Sequence, residues 1–260
     1  MEYIKCDLCG ADDYTRLYRL KQIFISKEAF FTLVKCKKCG LIYINPQPDK
    51  QEMLPYYMEL ENYYAYKSDE NDSTELYTRL LHSISNHAIR EAFKERHPIN
   101  IGLLLYYISR HRFSTFPREK RNHGKILDVG TGSGFYLKQV KKLGWNVYGV
   151  DINAQAAKIA NRNGLNVFCG ELADAKYPNN FFDLIRISMV LEHVHSPREY
   201  INEAYRVLKP GGLLGISVPN IGGYTAHLYK EKWAILDVPQ HLFQFTDKCF
   251  AYGHFALGLR

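Results

Sequence analysis

The sequence predicts an α/β protein, with a doubly wound parallel sheet in its second half and a small cysteine-stapled module at its start. Three observations carry this reading. From Lys125 onward, short apolar runs alternate with amphipathic stretches of helical length. A glycine-rich turn, Gly130-Thr-Gly132-Ser-Gly134, follows the first of those runs. Ahead of both, four cysteines stand in two pairs, Cys6-x-x-Cys9 and Cys36-x-x-Cys39.

The elements of the second half follow in order. Lys125-Ile-Leu-Asp-Val129 reads as a buried strand, and residues 135–143 as a helix closed by Gly144. Residues 146–150 form a second strand ending in Asp151. Asn153 can cap a helix that runs to Asn163 and stops at Gly164. Residues 167–168 and 182–188 are the third and fourth strands. Ser196-Pro-Arg-Glu199 reads as a capping box with proline at the first helical position, opening a helix to Leu208. Lys209-Pro-Gly-Gly212 then turns into a fifth strand, 213–218. Strands and helices alternating at these lengths imply parallel strands covered on both faces.

In each cysteine pair, two intervening residues let a tight turn aim both sulfurs at one point. The glycine after each pair, Gly10 or Gly40, lets the backbone curl around them. Four thiolates in a tetrahedron suit zinc. A disulfide pair and a redox motif are the alternatives. A reducing compartment disfavours the first, and the second needs only one pair in a different fold context. With Cys6, Cys9, Cys36 and Cys39 all engaged no coordination position stays open, so the expected zinc is structural. Residues 14–34 alternate enough to supply ribbon strands. The expected domains are a ribbon over 1–45, a helical connector or cap over 46–122, and the α/β domain over 123–260. Within the connector, Tyr56, Tyr57, Tyr63, Tyr64 and Tyr66 either line a substrate pocket or pack.

A net charge of +7 invites an anionic partner, but the excess is spread over both halves. The one concentration is Arg110, Arg112, Arg118, Lys120, Arg121 and Lys125, read as a solvated linker or a nucleic-acid contact. No run approaches the ~20 apolar residues of a membrane span. The first residues lack a basic start followed by an apolar stretch. The expectation is a cytoplasmic protein without a membrane partner.

A parallel sheet binds its ligand beyond the carboxyl ends of the strands, where the glycine turn lies. Glycine there lets a ligand approach the backbone, and Asp151 can accept both hydroxyls of a ribose. These features alone also permit a dinucleotide-binding dehydrogenase. The details separate the two: the third glycine of G-x-G-x-x-G would fall at Phe135, and Asp128 would repel a pyrophosphate.

Together Asp128-Val-Gly-Thr-Gly-Ser-Gly134, Asp151 after Gly149-Val150, Gly170-Glu171, Phe182-Asp183, Leu191-Glu-His-Val194 and Leu208-Lys-Pro-Gly-Gly212 closely resemble the class I S-adenosylmethionine-dependent methyltransferases. The resemblance implies a Rossmann-like fold and S-adenosylmethionine as cofactor. Cys36-x-x-Cys-Gly-Leu-Ile-Tyr43 and Asn45-Pro-x-Pro48 resemble members with an N-terminal zinc ribbon, some of which methylate sugars on carbon. Carried over by residue, it implies that Asp128 orients the cationic amino-acid end of the cofactor through loop amides or water. Gly130, Gly132 and Gly134 border its methionine part. Asp151 holds the ribose with Ile152 beside it, Glu171 and Leu172 lie along the adenine, and Ser188 sits next to the bound cofactor.

Methyl transfer to a hydroxyl or an acidic carbon also needs a base. The candidates are His193 and His195 after the fourth strand, and His241 in a stretch that resembles a family segment near the cleft mouth. His241 and His193 are taken as the catalytic residues, acting on a small-molecule acceptor such as a sugar, with His193 either moving protons or fixing its loop by hydrogen bonds. Two other functions stand beside this one. An RNA methyltransferase would use the ribbon and the basic linker, although no N-P-P-Y-like tetrapeptide is present. A non-catalytic ribbon module with a vestigial second half is disfavoured by the intact glycine turn and both aspartates.

The resembling family builds seven strands. After residue 218 only 42 residues follow, enough for one short strand. The sheet is therefore expected to lack its last strands, leaving the fifth as an open edge that favours aggregation or a homodimer.

Overall fold

In the computed structural model the described residues are 1–22, 28–53, 55–56 and 124–252. Most of the expected connector, with four of its five tyrosines, lies outside them. Residues 1–62 and 119–260 form one compact unit, and 63–118 another.

The first unit holds two sheets. The N-terminal sheet contains β1 (Tyr14–Lys21), β2 (Phe30–Cys36) and β3 (Ile42–Ile44), all antiparallel. Its fourth strand, β9 (Phe243–Gln244), arrives from the far end of the chain and pairs Tyr43 with Phe243 and Ile42 with Gln244. The rings of Tyr43 and Phe243 stack with centroids 6.3 Å apart. No local pattern in the sequence announces this strand.

The second sheet contains β4 (Lys125–Val129), β5 (Asn146–Asp151), β6 (Val167–Cys169), β7 (Phe182–Ser188) and β8 (Leu208–Ser217). All pairings are parallel, in the order β6-β5-β4-β7-β8. Among the described residues the sheet thus has five strands, with β8 on the outside. Helices α1 (Phe135–Lys142), α2 (Ala154–Arg162), α3 (Pro197–Val207), α4 (Tyr224–Tyr229) and α5 (Asp247–Tyr252) are accompanied by short 3-10 turns at Ala173–Ala175, Lys230–Lys232 and Ala234–Leu236. Strand β4 is buried on both faces, as a central parallel strand must be. Ile126 joins Leu137, Val140, Trp145 and Ala160 on one side, while Leu127 and Val129 join the larger core on the other. That larger core also takes in Cys6, Tyr43 and Phe243, so ribbon and parallel sheet share it.

Two local readings need correction. Ser196 makes no cap bond of its own. Its hydroxyl donates to Asp7, whose other oxygen accepts from the Arg198 amide at 2.9 Å. The ribbon's first knuckle thereby caps α3, because a carboxylate satisfies orphan helix amides better than a hydroxyl already committed elsewhere. The fifth strand starts at Leu208 rather than 213. Leu208 already pairs with Phe182, and the 209–212 segment is an irregularity within the strand, with Gly211 at φ +75. Asn153 caps α2 as expected, accepting from the Ala156 amide at 2.8 Å. No helix among the described residues is long and apolar enough to cross a membrane.

Candidate functional site

The four N-terminal cysteines converge. Sγ of Cys6 lies 3.4 Å from that of Cys39, and Cys9 lies 3.5 Å from Cys36. These separations are far longer than a disulfide bond and near the roughly 3.8 Å between thiolates that each sit about 2.3 Å from a tetrahedral zinc. All six cysteines are unpaired. Burial pushes the Cys6 thiol up, and that of Cys39 up to about 12, a cost that a cation held by the four sulfurs would offset.

The remaining sequence-derived residues gather at the carboxyl ends of the parallel strands. The turn after β4 is tied to β5 by the Gly130 amide, which donates to the Val150 carbonyl at 2.8 Å. Its three glycines have different physical reasons. A Cβ at Gly130 would lie 2.3 Å from Val190, and one at Gly134 would lie 2.1 Å from Leu165, so these two are required by packing. Gly132 faces open space and alone offers bare backbone to a ligand. Asp151, at the end of β5, accepts from the Gly132 amide at 2.7 Å and the Asn153 amide at 2.8 Å. Each oxygen keeps a further lone pair for a hydroxyl donor. Burial raises its pKa above the ordinary aspartate value, with the two amides opposing.

Exposed Ile152 follows Asp151, and exposed Phe135 starts α1 beyond the glycine turn. Glu171 follows Gly170 after β6 and pairs with Lys50, while Leu172 is buried. Ser188 ends β7. Asp128 stands apart from this rim. It is buried in the middle of the sheet, and Arg186 donates to it at 2.6 Å. The guanidinium also rests on the Tyr136 ring, 4.2 Å from its centroid. Burial pushes Asp128 up to about 6, with Arg186 opposing. The other oxygen of Asp128 is buried without a hydrogen-bond partner. Sequence reading passed over Arg186, an arginine inside an otherwise apolar strand, which was the available signal.

His193 and His241 meet, with ring centroids 4.7 Å apart and planes at 72°. They are 48 residues apart in sequence and are joined by backbone bonds. The Glu192 carbonyl accepts from the amides of Leu242 at 2.7 Å and Phe243 at 3.2 Å. Nδ1 of His193 lies 3.0 Å from the Gln240 carbonyl, and Nδ1 of His241 lies 2.8 Å from the Ile235 carbonyl. A carbonyl only accepts, so Nδ1 carries the proton and Nε2 the lone pair. Burial, then the neighbouring His193, lowers His241 to about 4; burial also lowers His193. Burial thus favours the neutral form of both rings. Beside them Glu192 is buried with neither carboxylate oxygen hydrogen-bonded, and burial pushes it up to about 7. Glu192 was visible in Leu191-Glu-His-Val194 but not singled out. His195 does not join the pair; its Nε2 is 2.9 Å from the Pro48 carbonyl.

Tyr56, the one described member of the tyrosine cluster, is buried edge-on to Phe31. Of the six basic residues before the sheet only Lys125 is described, and its ammonium rests on the Phe181 ring at 3.5 Å.

Residues 105–250 match the family described as "Methyltransferase domain". The chain belongs to this family, the class I S-adenosylmethionine-dependent methyltransferases. An uncharacterised protein of Methanocaldococcus jannaschii is 34% identical over 110 residues, which cover 42% of this chain and 51% of that protein. A ubiquinone biosynthesis O-methyltransferase of Erwinia tasmaniensis is 30% identical over 135 residues, covering 49% and 53%. This methyltransferase therefore spans about half the length of the curated relatives it matches. A solved S-adenosylmethionine-dependent methyltransferase of Archaeoglobus fulgidus is 23% identical with a TM-score of 0.47, covering 60% of this chain and 68% of that one.

Proposed function

We propose that the chain transfers a methyl group from S-adenosylmethionine to an oxygen or an acidic carbon of a small-molecule acceptor. The pairing of two imidazoles, His193 on the loop leaving the carboxyl end of β7 and His241 just before β9, carries this reading. Gly132 and Asp151 fit the cofactor: open space over a bare backbone for its methionine part, and a carboxylate with lone pairs to spare for ribose hydroxyls. Gly130 and Gly134 shape that turn, Ile152, Glu171 and Leu172 border the adenine, and Ser188 closes the β7 side. Asp128 and Arg186 hold the backbone beneath. When bound, the cofactor supplies a methyl carbon already activated on a sulfonium, so the protein's task is orientation, exclusion of water and removal of a proton.

The acceptor's proton passes to Nε2 of a histidine whose Nδ1–H is held by a carbonyl, an arrangement that fixes tautomer and aim. The activity named for the Erwinia relative, O-methyl transfer, supports an oxygen acceptor. Structural zinc in the four cysteines would stiffen the sheet that ends in β9, two residues beyond His241. The ribbon would then position the acceptor side.

The test is transfer of labelled methyl by the full chain, with acceptors screened by chemical class. His241→Ala is expected to lower turnover by about 10²–10⁴-fold, the usual share of general acid–base catalysis, while cofactor affinity stays as in the wild type. Equal turnover in variant and wild type would remove His241 from the chemistry.

A further inference from the structure

We propose that Glu192, His193 and His241 form a second metal site, separate from the four cysteines, that takes a divalent transition-metal ion of the zinc or iron class. One carboxylate oxygen and one nitrogen from each ring lie within 4.8 Å of one another. Bonds of about 2.0–2.2 Å to an ion require ligand atoms roughly 3–3.5 Å apart, which small side-chain rotations can reach. The tautomers suit the task, since each ring's Nδ1–H is held by a backbone carbonyl and its lone pair sits on Nε2. Backbone carbonyls that accept from the far nitrogen hold ligating histidines in this way in established metal sites.

The carboxylate supplies the independent observation. Both oxygens of Glu192 are buried, and neither has a hydrogen-bond partner. An ionised carboxylate in that position is costly unless a cation compensates it. No lysine or arginine among the described residues pairs with it. Asp237 adds a second carboxylate nearby, 3.9 Å from Nε2 of His241, with its Oδ1 also buried and unpartnered. Two imidazoles and a carboxylate select a borderline divalent ion over calcium or magnesium, which prefer oxygen alone.

Three protein ligands leave coordination positions open, unlike the four cysteines. With both Nε2 atoms on the ion the imidazoles no longer take the proton; an acceptor oxygen bound to the ion would be acidified and would pass its proton to solvent or to the nearby Asp237 carboxylate. This role rests on the activity proposed above; the site itself does not.

The experiment uses the full chain produced in cobalt medium, so that Co²⁺ occupies the ribbon, titrated with further Co²⁺ and then displaced with Zn²⁺. The expected result is two ions per chain. One gives the intense charge-transfer absorption of cobalt thiolate, and the other only weak ligand-field bands. Glu192→Gln and His241→Gln should each weaken the second ion at least about a hundredfold and leave the first in place. Two ions per chain without any transferable acceptor would uphold the site and count against the proposed activity. If a variant folds poorly, the wild-type stoichiometry and spectrum still decide. Saturation at a single thiolate-bound ion, or wild-type affinity in Glu192→Gln, would overturn the inference.

Discussion

The glycine turn and the histidine pair both belong to the carboxyl side of the parallel sheet, and they are built in opposite ways. The turn is local. Residues 130–134 and Asp151 are set by one strand–turn–helix unit and the neighbouring strand, the Gly132–Asp151 bond spanning 19 residues. The histidine pair is non-local. It exists because the Glu192 carbonyl takes amides from Leu242 and Phe243, and because β9 then continues into the ribbon sheet. One site therefore depends on local backbone shape, and the other on the ribbon 200 residues earlier. Damage to the ribbon should reach the histidines and spare the turn.

The largest effect is expected from Cys36→Ser. Structural zinc sites contribute folding free energy outright, on the order of 10 kcal/mol in small zinc modules. Here β2 and β3 connect the cysteines to β9. The variant should lose the ribbon ion and lower the melting temperature of the chain, and turnover should fall further than cofactor affinity. Unchanged ion content and melting would separate the cysteines from metal binding altogether.

Substitutions within the turn sharpen the same contrast. Gly134→Ala forces a Cβ to 2.1 Å from Leu165 at a φ of +85, and overpacking of this kind costs about 1–3 kcal/mol of stability. Gly132→Ala meets nothing within 4 Å, so it should cost less stability yet weaken cofactor binding, because the methyl group occupies the ligand's space. Thermal melting and calorimetry on the two variants give the comparison. Equal losses of stability would mean that the packing distinction between the glycines is wrong.

The legibility of the sequence follows the same division. Strands at 125–129 and 182–188, the Asn153 cap and each cysteine knuckle could be read because each depends on spacing within a few residues. The Asp7 cap on α3, the Arg186 partner of Asp128 and strand β9 could not. Their partners are supplied by chain that is distant in sequence, and no propensity encodes a distant partner. Asp128 shows the limit within a single residue: its place in the strand was clear, but the arginine that neutralises it was hidden in what reads as an apolar run.

The smallest effect is expected at Asp7. Asp7→Ala removes the cap that the ribbon lends to α3 and should cost about 0.5–2 kcal/mol, measured by denaturant unfolding, with cofactor affinity unaltered. A neutral result would show that Ser196 takes over as the cap once released.

Calorimetric titration of the full chain with S-adenosylmethionine, alongside NAD, tests the cofactor assignment most directly. Binding of the first and not the second is expected. Asp151→Ala should weaken binding by about 1.5–3 kcal/mol, the worth of hydrogen bonds to a charged group. Binding of NAD, or an Asp151→Ala variant with wild-type affinity for S-adenosylmethionine, would contradict the placement of the cofactor over Gly132 and Asp151.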